Sequence, residues 1–457
     1  ELLEWEIDKD MIHLGSLPVT SLSQVQFTSL SNYNDELYQS LRGADKENPL
    51  MLINRFINAH GLTEFTSTEF AAFAGYPDIQ IQHYLMNLAN QGFLFYNVAQ
   101  PKAIIQQKFH HYINARLQLT DYDVINFTSK VSNSSSNSMM VNSSLNLLTK
   151  DLNVKGVRTV SLSDSQMVYI QPYNGNIIVK RNRNFDFSGR ISAGRGRFVL
   201  YGKDFQFKYD DFKIDLHQID SVQLAVPIMP IERDMYGNEK LVRIRTVIQS
   251  VTGDLRIDDP TNKSGLRKKI FHHYPIFRSL DDSYVYYDSP SIFGGVYNRD
   301  VFAFHVDTFE IDSLENFNGK SLQFPGTFES AGIFPTLEDT LTMMDDYSLG
   351  FYSRSPIEGF DIYGGKAKYY HDISLSNQGL KGKGRLDYLT SITNSNEIYF
   401  FPDSTALFTD DILISKVESG IEFPQVRNGE TFSLFQPYED KYRIHKQQTG
   451  FDFYEGQ

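Results

Sequence analysis

Arg197-Phe198-Val199-Leu200-Tyr201-Gly202-Lys203-Asp204-Phe205-Gln206-Phe207-Lys208-Tyr209-Asp210-Asp211-Phe212 is the stretch that decides the fold. Rings at Phe198, Tyr201, Phe205, Phe207, Tyr209 and Phe212 recur close to every second residue, with polar residues and glycine between them. Side chains two apart share one face of an extended chain, so this spacing predicts strands with large buried aromatic faces. Gly202 falls where such a run would bend or bulge.

The same style extends in both directions. Strands are expected at 157–162, 167–170, 177–180, 185–187, 197–201, 205–209 and 212–216. Asn174-Gly175-Asn176 reads as a hairpin turn, because asparagine and glycine accept positive φ at little cost. Further on, Val242-Arg243-Ile244-Arg245-Thr246-Val247 and Gly253-Asp254-Leu255-Arg256-Ile257 alternate, and residues 258–265 read as a loop. Leu322-Gln323-Phe324-Pro325-Gly326-Thr327-Phe328 follows, then Ile373-Ser374-Leu375 and the glycine-spaced run Gly379-Leu380-Lys381-Gly382-Lys383-Gly384-Arg385-Leu386-Asp387-Tyr388. Short strands with regular turn signals predict a mainly β, multi-domain chain of repeated sheet modules, sandwich or solenoid-like. Such modules suit a protein that meets partners along a face.

Residues 48–118 break the period. Pro49-Leu50-Met51-Leu52-Ile53-Asn54-Arg55-Phe56-Ile57 has helical spacing with proline in the first turn. Thr66-Ser67-Thr68-Glu69 is a capped start that Gly75 closes, and Asp78 opens a helix with Ile81, Tyr84, Leu85 and Leu88 on one side. Phe93-Leu94-Phe95-Tyr96 follows as a strand, and 101–117 reads as a last helix. This outline is that of an inserted, helical, winged-helix-like domain. A DNA-reading role is disfavoured, since residues 78–91 hold no lysine or arginine to meet phosphates. The expected domains are therefore 1–47 (β segment), 48–118 (helical), 119–232, 233–330 and 331–457 (all β-rich). Within the third, the Ser/Asn-rich 132–144 is expected to be a loop.

Two echoes point to repetition. Gly359-Phe360-Asp361-Ile362-Tyr363-Gly364-Gly365-Lys366 resembles Gly450-Phe451-Asp452-Phe453-Tyr454-Glu455-Gly456-Gln457, and Ile219-Asp220-Ser221-Val222 returns as Ile311-Asp312-Ser313-Leu314. Nearly equal offsets predict a repeating unit. They put residue 457 near the start of another unit, so the chain reads as a truncated piece of something longer.

The 457 residues carry 43 basic and 56 acidic side chains, a formal charge of −13 that opposes general nucleic-acid binding. No run of 18 apolar residues occurs, which argues against a spanning helix. With Cys 0, disulfides, thiolate catalysis and cysteine-bound zinc are excluded.

The chemical constellations read as structural. His110-His111 and His272-His273 lack the spacing of a metal motif. Ser161-Leu162-Ser163-Asp164-Ser165 has no nucleophile elbow, and Gly194-Arg195-Gly196-Arg197 lacks the ending of a phosphate loop. Asp281-Asp282 and Asp345-Asp346 suit turns, and Arg267-Lys268-Lys269 is a small basic spot. No catalytic, cofactor-binding or metal-binding residue is assigned, and the chain reads as non-enzymatic. Partner-binding residues are left open.

Several segments carry a family resemblance: Asp121-Tyr122-Asp123-Val124-Ile125, Asn146-Leu147-Leu148, Asp151-Leu152-Asn153-Val154, Gly156-Val157 and Leu162-Ser163-Asp164-Ser165-Gln166. Others are Lys180-Arg181-Asn182-Arg183, Phe185-Asp186-Phe187-Ser188-Gly189, Tyr209-Asp210-Asp211-Phe212-Lys213, residues 359–365 and Leu375-Ser376-Asn377-Gln378-Gly379-Leu380. Together they resemble very long exported β-rich proteins of Bacteroidota, over nearly the whole chain. That group is linked to the plug of the type IX secretion translocon, which closes the periplasmic mouth of an outer-membrane barrel. The resemblance implies a periplasmic interaction protein that docks on an outer-membrane β-barrel translocon protein and plugs or gates it. The matching motifs are structural punctuation, so no functional residue is carried over. The alternative is an envelope-assembly or lipid-transfer module with a β-groove, which requires a continuous inward apolar row.

Overall fold

A computed structural model describes residues 2–16, 22–42, 47–132, 140–389, 391–414, 426–446 and 452–456. Strands dominate it, and their ladders are antiparallel. The chain divides into two compact units. One comprises residues 1–195, 204–215 and 256–275; the other comprises 196–203, 216–255 and 276–457.

The first unit starts with the hairpin Leu2–Glu6 and Met11–Ser16. Met11–Ser16 also pairs with Met140–Asn146. Leu22–Thr28 pairs in full register with Asn126–Ser132, and Phe27 stacks on Phe127 at 5.1 Å. The ladder continues through Val157–Ser163, Val168–Val179 and Phe185–Ala193. Among the described residues every α-helix lies between the two partners Leu22–Thr28 and Asn126–Ser132, so the α-helical part is an insertion that leaves and re-enters at adjacent strands.

Asp123 fastens that neck. Its buried carboxylate accepts hydrogen bonds from Ser29 Oγ at 2.6 Å, Tyr209 Oη at 2.7 Å and its own neighbour Ile125 N at 2.9 Å. Burial, then the Asp123 charge, pushes the Tyr209 hydroxyl well above its ordinary pKa, so it stays a donor.

Five helices occur among the described residues: α1 Asp35–Arg42, α2 Pro49–His60, α3 Ser67–Ala74, α4 Asp78–Asn90 and α5 Gln107–Arg116. Asn48 caps α2 and Gly61, at φ 65, ends it. Thr66 and Glu69 form a reciprocal capping box on α3, and Gly75 closes it in the left-handed conformation. A three-stranded sheet orders Glu64–Thr66, Lys102–Ile105 and Leu94–Asn97. The core gathers Leu50, Ile53, Phe56, Ile81, Leu85, Phe93, Phe109 and Tyr112, and it also takes in Tyr33 and Tyr38 from before residue 48.

Three expectations are corrected. Residues 101–117 are not one helix, because Lys102–Ile105 is a strand paired with Leu94–Asn97 and α5 starts only at Gln107. Asn174-Gly175 does not turn a hairpin. Val168–Val179 runs through it, with both flanks paired to Phe185–Ala193 and the register shifting between Pro172 and Ile177. The positive φ values are there, 55° and 66°, but they form a bulge. The polar stretch expected to be a loop is a strand from Met140 on, where buried Asn142 accepts from Ser23 Oγ at 2.5 Å and donates to Ser129 Oγ at 2.8 Å. Residues 133–139 lie outside the described residues.

The deciding stretch is Phe198–Lys208, entering Lys213–Pro227 after a turn. Phe198, Phe205, Phe207, Tyr209 and Phe212 are buried as expected, whereas Tyr201 is half-buried. Leu200 holds the inward place instead, and Asp204, at φ 53, resets the alternation before Phe205.

In the second unit, Phe302–Val306 pairs with Phe324–Ser330, and Phe324–Ser330 with Leu337–Met343. A further ladder runs from Leu349–Arg354 through Ala367–Ser376, Gly379–Tyr388, Ser391–Phe400, Thr405–Ile414, Val426–Gln436 and Lys441–Lys446 to Asp452–Gly456. Phe360–Ile362 pairs with Ala367–Ser376. Of the echoed octapeptides, the first is this strand and its turn, whereas residues 450, 451 and 457 lie outside the described residues. The other echo differs in local structure. Ile219 to Val222 is strand, whereas Ile311 ends a strand and Ser313 turns at φ 48.

Candidate functional site

The outer face of the long ladder in the second unit is creased. Tyr369 and Ile373 are buried, and strict alternation between them would send the His371 imidazole inward. Instead His371 adopts φ 89 and its side chain is exposed. Its N–H donates to Ser355 Oγ at 2.9 Å and its carbonyl accepts from Ser355 N at 2.9 Å, which holds the unusual conformation. Gly384 faces it across the ladder, and a Cβ there would lie 2.0 Å from Tyr370 O. Only glycine fits without moving backbone.

The irregularity continues into the neighbouring strands. The register shifts between Gly382 and Gly384 against Ser391–Phe400, and again between Thr409 and Asp411 against Val426–Gln436. Ser395 Oγ pins the bulge, donating to Glu397 O at 2.9 Å and accepting from Glu397 N at 3.0 Å. Tyr369 Oη donates to Asp372 O at 2.6 Å from the buried side. Bulges bend a strand and re-aim its side chains, and backbone strain of this kind gathers where structure serves a function.

Beside the crease lies a trough of about 750 Å³, lined by Tyr352, Arg354, Asp372, Lys381, Lys383 and Glu397 among others. A second depression of about 320 Å³ adjoins it through Asp372, Lys383 and Asn396 and reaches His371. Charges of both signs alternate along the floor. Arg354 Nε lies 3.4 Å from Asp372 Oδ1. Lys381 Nζ sits 5.1 Å from the Tyr399 ring centre and donates to Gln378 Oε1 at 2.9 Å. Tyr399 donates to Glu397, and burial together with that carboxylate pushes its hydroxyl up to about 12. Tyr352 is 66% exposed, a large planar ring standing beside these charges. The chemistry on offer is recognition, with cations, carboxylates, amides and one open aromatic surface spread along a groove.

The residues weighed from sequence lie elsewhere and do not converge on it. Gly194–Gly196 is a tight turn, and Arg197 is a buried structural cation that donates to Phe317 O at 2.5 Å and pairs with Glu239. Ser163 and Ser165 hydroxyls are 3.1 Å apart in a turn. Asp346 accepts from Ser348 Oγ at 2.5 Å, and Asp281 from Thr252. His272 and His273 meet edge to face, with ring centres 5.8 Å apart. Among the described residues no group of three or more His, Asp or Glu is placed to hold a metal ion, and no helix is long and apolar enough to cross a membrane.

Sequence reasoning missed Tyr352, Arg354, His371, Asp372 and Asn394 to Glu397. One signal was present: in Tyr369-Tyr370-His371-Asp372-Ile373 a histidine occupies the place where period two asks for an apolar residue. No protein-family model, curated protein or solved structure matches the chain.

Proposed function

We propose that this chain is a non-enzymatic interaction protein that docks on the periplasmic end of an outer-membrane protein-export barrel and plugs or gates it, as in type IX secretion. In this reading the sheets form a modular body, and the insertion α2–α5 with its three-stranded sheet is a winged-helix-like domain. The trough is the observation that supports it. An exposed Tyr352 next to Arg354, with charges of both signs around it, has the composition of a protein-docking surface, where Tyr and Arg are among the residues that supply most of the binding energy. The family resemblance supplies the barrel as partner and the periplasm as location.

The test is co-purification with outer-membrane barrels after gentle detergent extraction. Tyr352→Ala combined with Arg354→Ala is expected to cut barrel recovery at least tenfold while stability moves by less than about 0.5 kcal/mol, as for exposed positions. Undiminished recovery removes the trough from the interface. Recovery of bound phospholipid with no barrel supports the lipid-transfer alternative.

A further inference from the structure

We propose that the loop 258–275 of the first unit is a docking element for the anionic headgroups of a phospholipid bilayer. It carries four cations, Lys263, Arg267, Lys268 and Lys269, against two carboxylates, the buried Asp258 and the half-buried Asp259, in a chain of net charge −13. Leu266 and Ile270, 57% and 64% exposed, bracket the Arg-Lys-Lys run.

Leu266, Arg267, Lys269 and Ile270 are exposed, whereas Lys263 and Lys268 are half-buried and brace the loop. Their ammonium groups donate to Pro260 O at 2.6 Å and to Ser165 O at 2.7 Å, and Arg267 donates to Thr261 Oγ1 at 2.9 Å. The base of the loop is anchored by buried Asp258, which accepts from Gln166 Nε2 at 2.7 Å and Asn262 Nδ2 at 3.0 Å. Asn262 Oδ1 in turn accepts from Arg267 N at 2.8 Å. Asp121 accepts from Lys263 N at 2.6 Å and from Ser264 Oγ at 2.5 Å. Gly265, at φ 71, presses so closely on Ser165 that a Cβ would lie 1.9 Å from its Oγ. A segment fastened at this many points does not expose two aliphatic side chains for want of structure.

Charge complementarity selects the occupant. The body as a whole is repelled by an anionic bilayer, but that repulsion is screened beyond about 8 Å at physiological salt. A cationic loop therefore governs both attraction and orientation at contact. Aliphatic tips flanking cations match the layering of a bilayer surface, with phosphates outside and acyl chains just beneath. The inference stands independently of barrel docking.

Flotation of the full chain with vesicles tests it. Binding is expected to phosphatidylethanolamine vesicles containing phosphatidylglycerol, to fall with added salt, and to be absent with phosphatidylcholine alone. Leu266→Asp with Ile270→Asp is expected to lower the bound fraction about tenfold, and Lys269→Glu severalfold, both at unchanged melting temperature. Lys269→Glu, a change to one exposed side chain, carries the test if the double variant fails to fold. Equal flotation with both vesicle types, no flotation of the parent chain, or variants that float like it would each overturn the proposal. So would an acidic protein partner captured through these residues by a chain that ignores vesicles.

Discussion

The helical insertion and the creased ladder of the second unit both rest on buried aromatic rings, yet they fix their shapes by opposite means. In the insertion the decisive contacts are local: Asn48 caps α2, Thr66 and Glu69 cap α3, and Gly61 and Gly75 end their helices. Rings then close the core, with Phe56 5.3 Å from Phe65 and 5.4 Å from Phe70. In the ladder the decisive contacts are between strands. His371 turns outward because of Ser355 and Gly384, and Ser395 fixes the neighbouring bulge. Local capping makes a compact body whose surface follows from its core. Strand-to-strand constraint makes a surface with a shape of its own.

The severest challenge to this contrast is Phe109→Ala, which empties a fully buried position in the insertion. It is expected to cost about 3–5 kcal/mol. Denaturation followed by circular dichroism should show helix lost first and sheet retained; a single shared transition would break the comparison. Gly384→Ala comes next, at about 2 kcal/mol for forcing a methyl against backbone. Its chemical-denaturation midpoint should fall while the helical signal stays intact. The smallest effect has the opposite sign. His371→Gly should raise stability by about 1 kcal/mol by relieving the positive φ. A loss there would mean that the imidazole contributes contacts worth more than the strain.

The same contrast explains what could be read in advance. Helices α2, α3 and α4 were legible because proline, capping and glycine signals sit within a few residues of the segments they delimit. The strand Lys102–Ile105 was not, because only its partner Leu94–Asn97 distinguishes it from the first turn of α5. Asn174-Gly175 announced positive φ correctly, but whether positive φ makes a turn or a bulge depends on where the flanking strands pair. The trough was illegible for a related reason. Glycine spacing at 379–388 pointed to sharp bending, whereas His371 and Asn394 to Glu397 gain their roles only from neighbours across the ladder. Recurrence, too, is clearer in turns than in words. Asp10 and Asp440 take left-handed φ of 50° and 51° at the ends of short 3-10 turns that join Glu6 to Met11 and Gln436 to Lys441.

The neck at Asp123 has a consequence for heredity and for engineering. Because Thr28 and Asn126 sit opposite each other, and Asp121 and Asp123 tie the returning chain to the body, the segment between Asn34 and Thr120 hangs from it like a cartridge in a socket. Any fold whose first and last residues lie side by side can be seated there by a single in-frame exchange of coding sequence. A fluorescent reporter placed in that socket would light up the body without rewriting one of its strands.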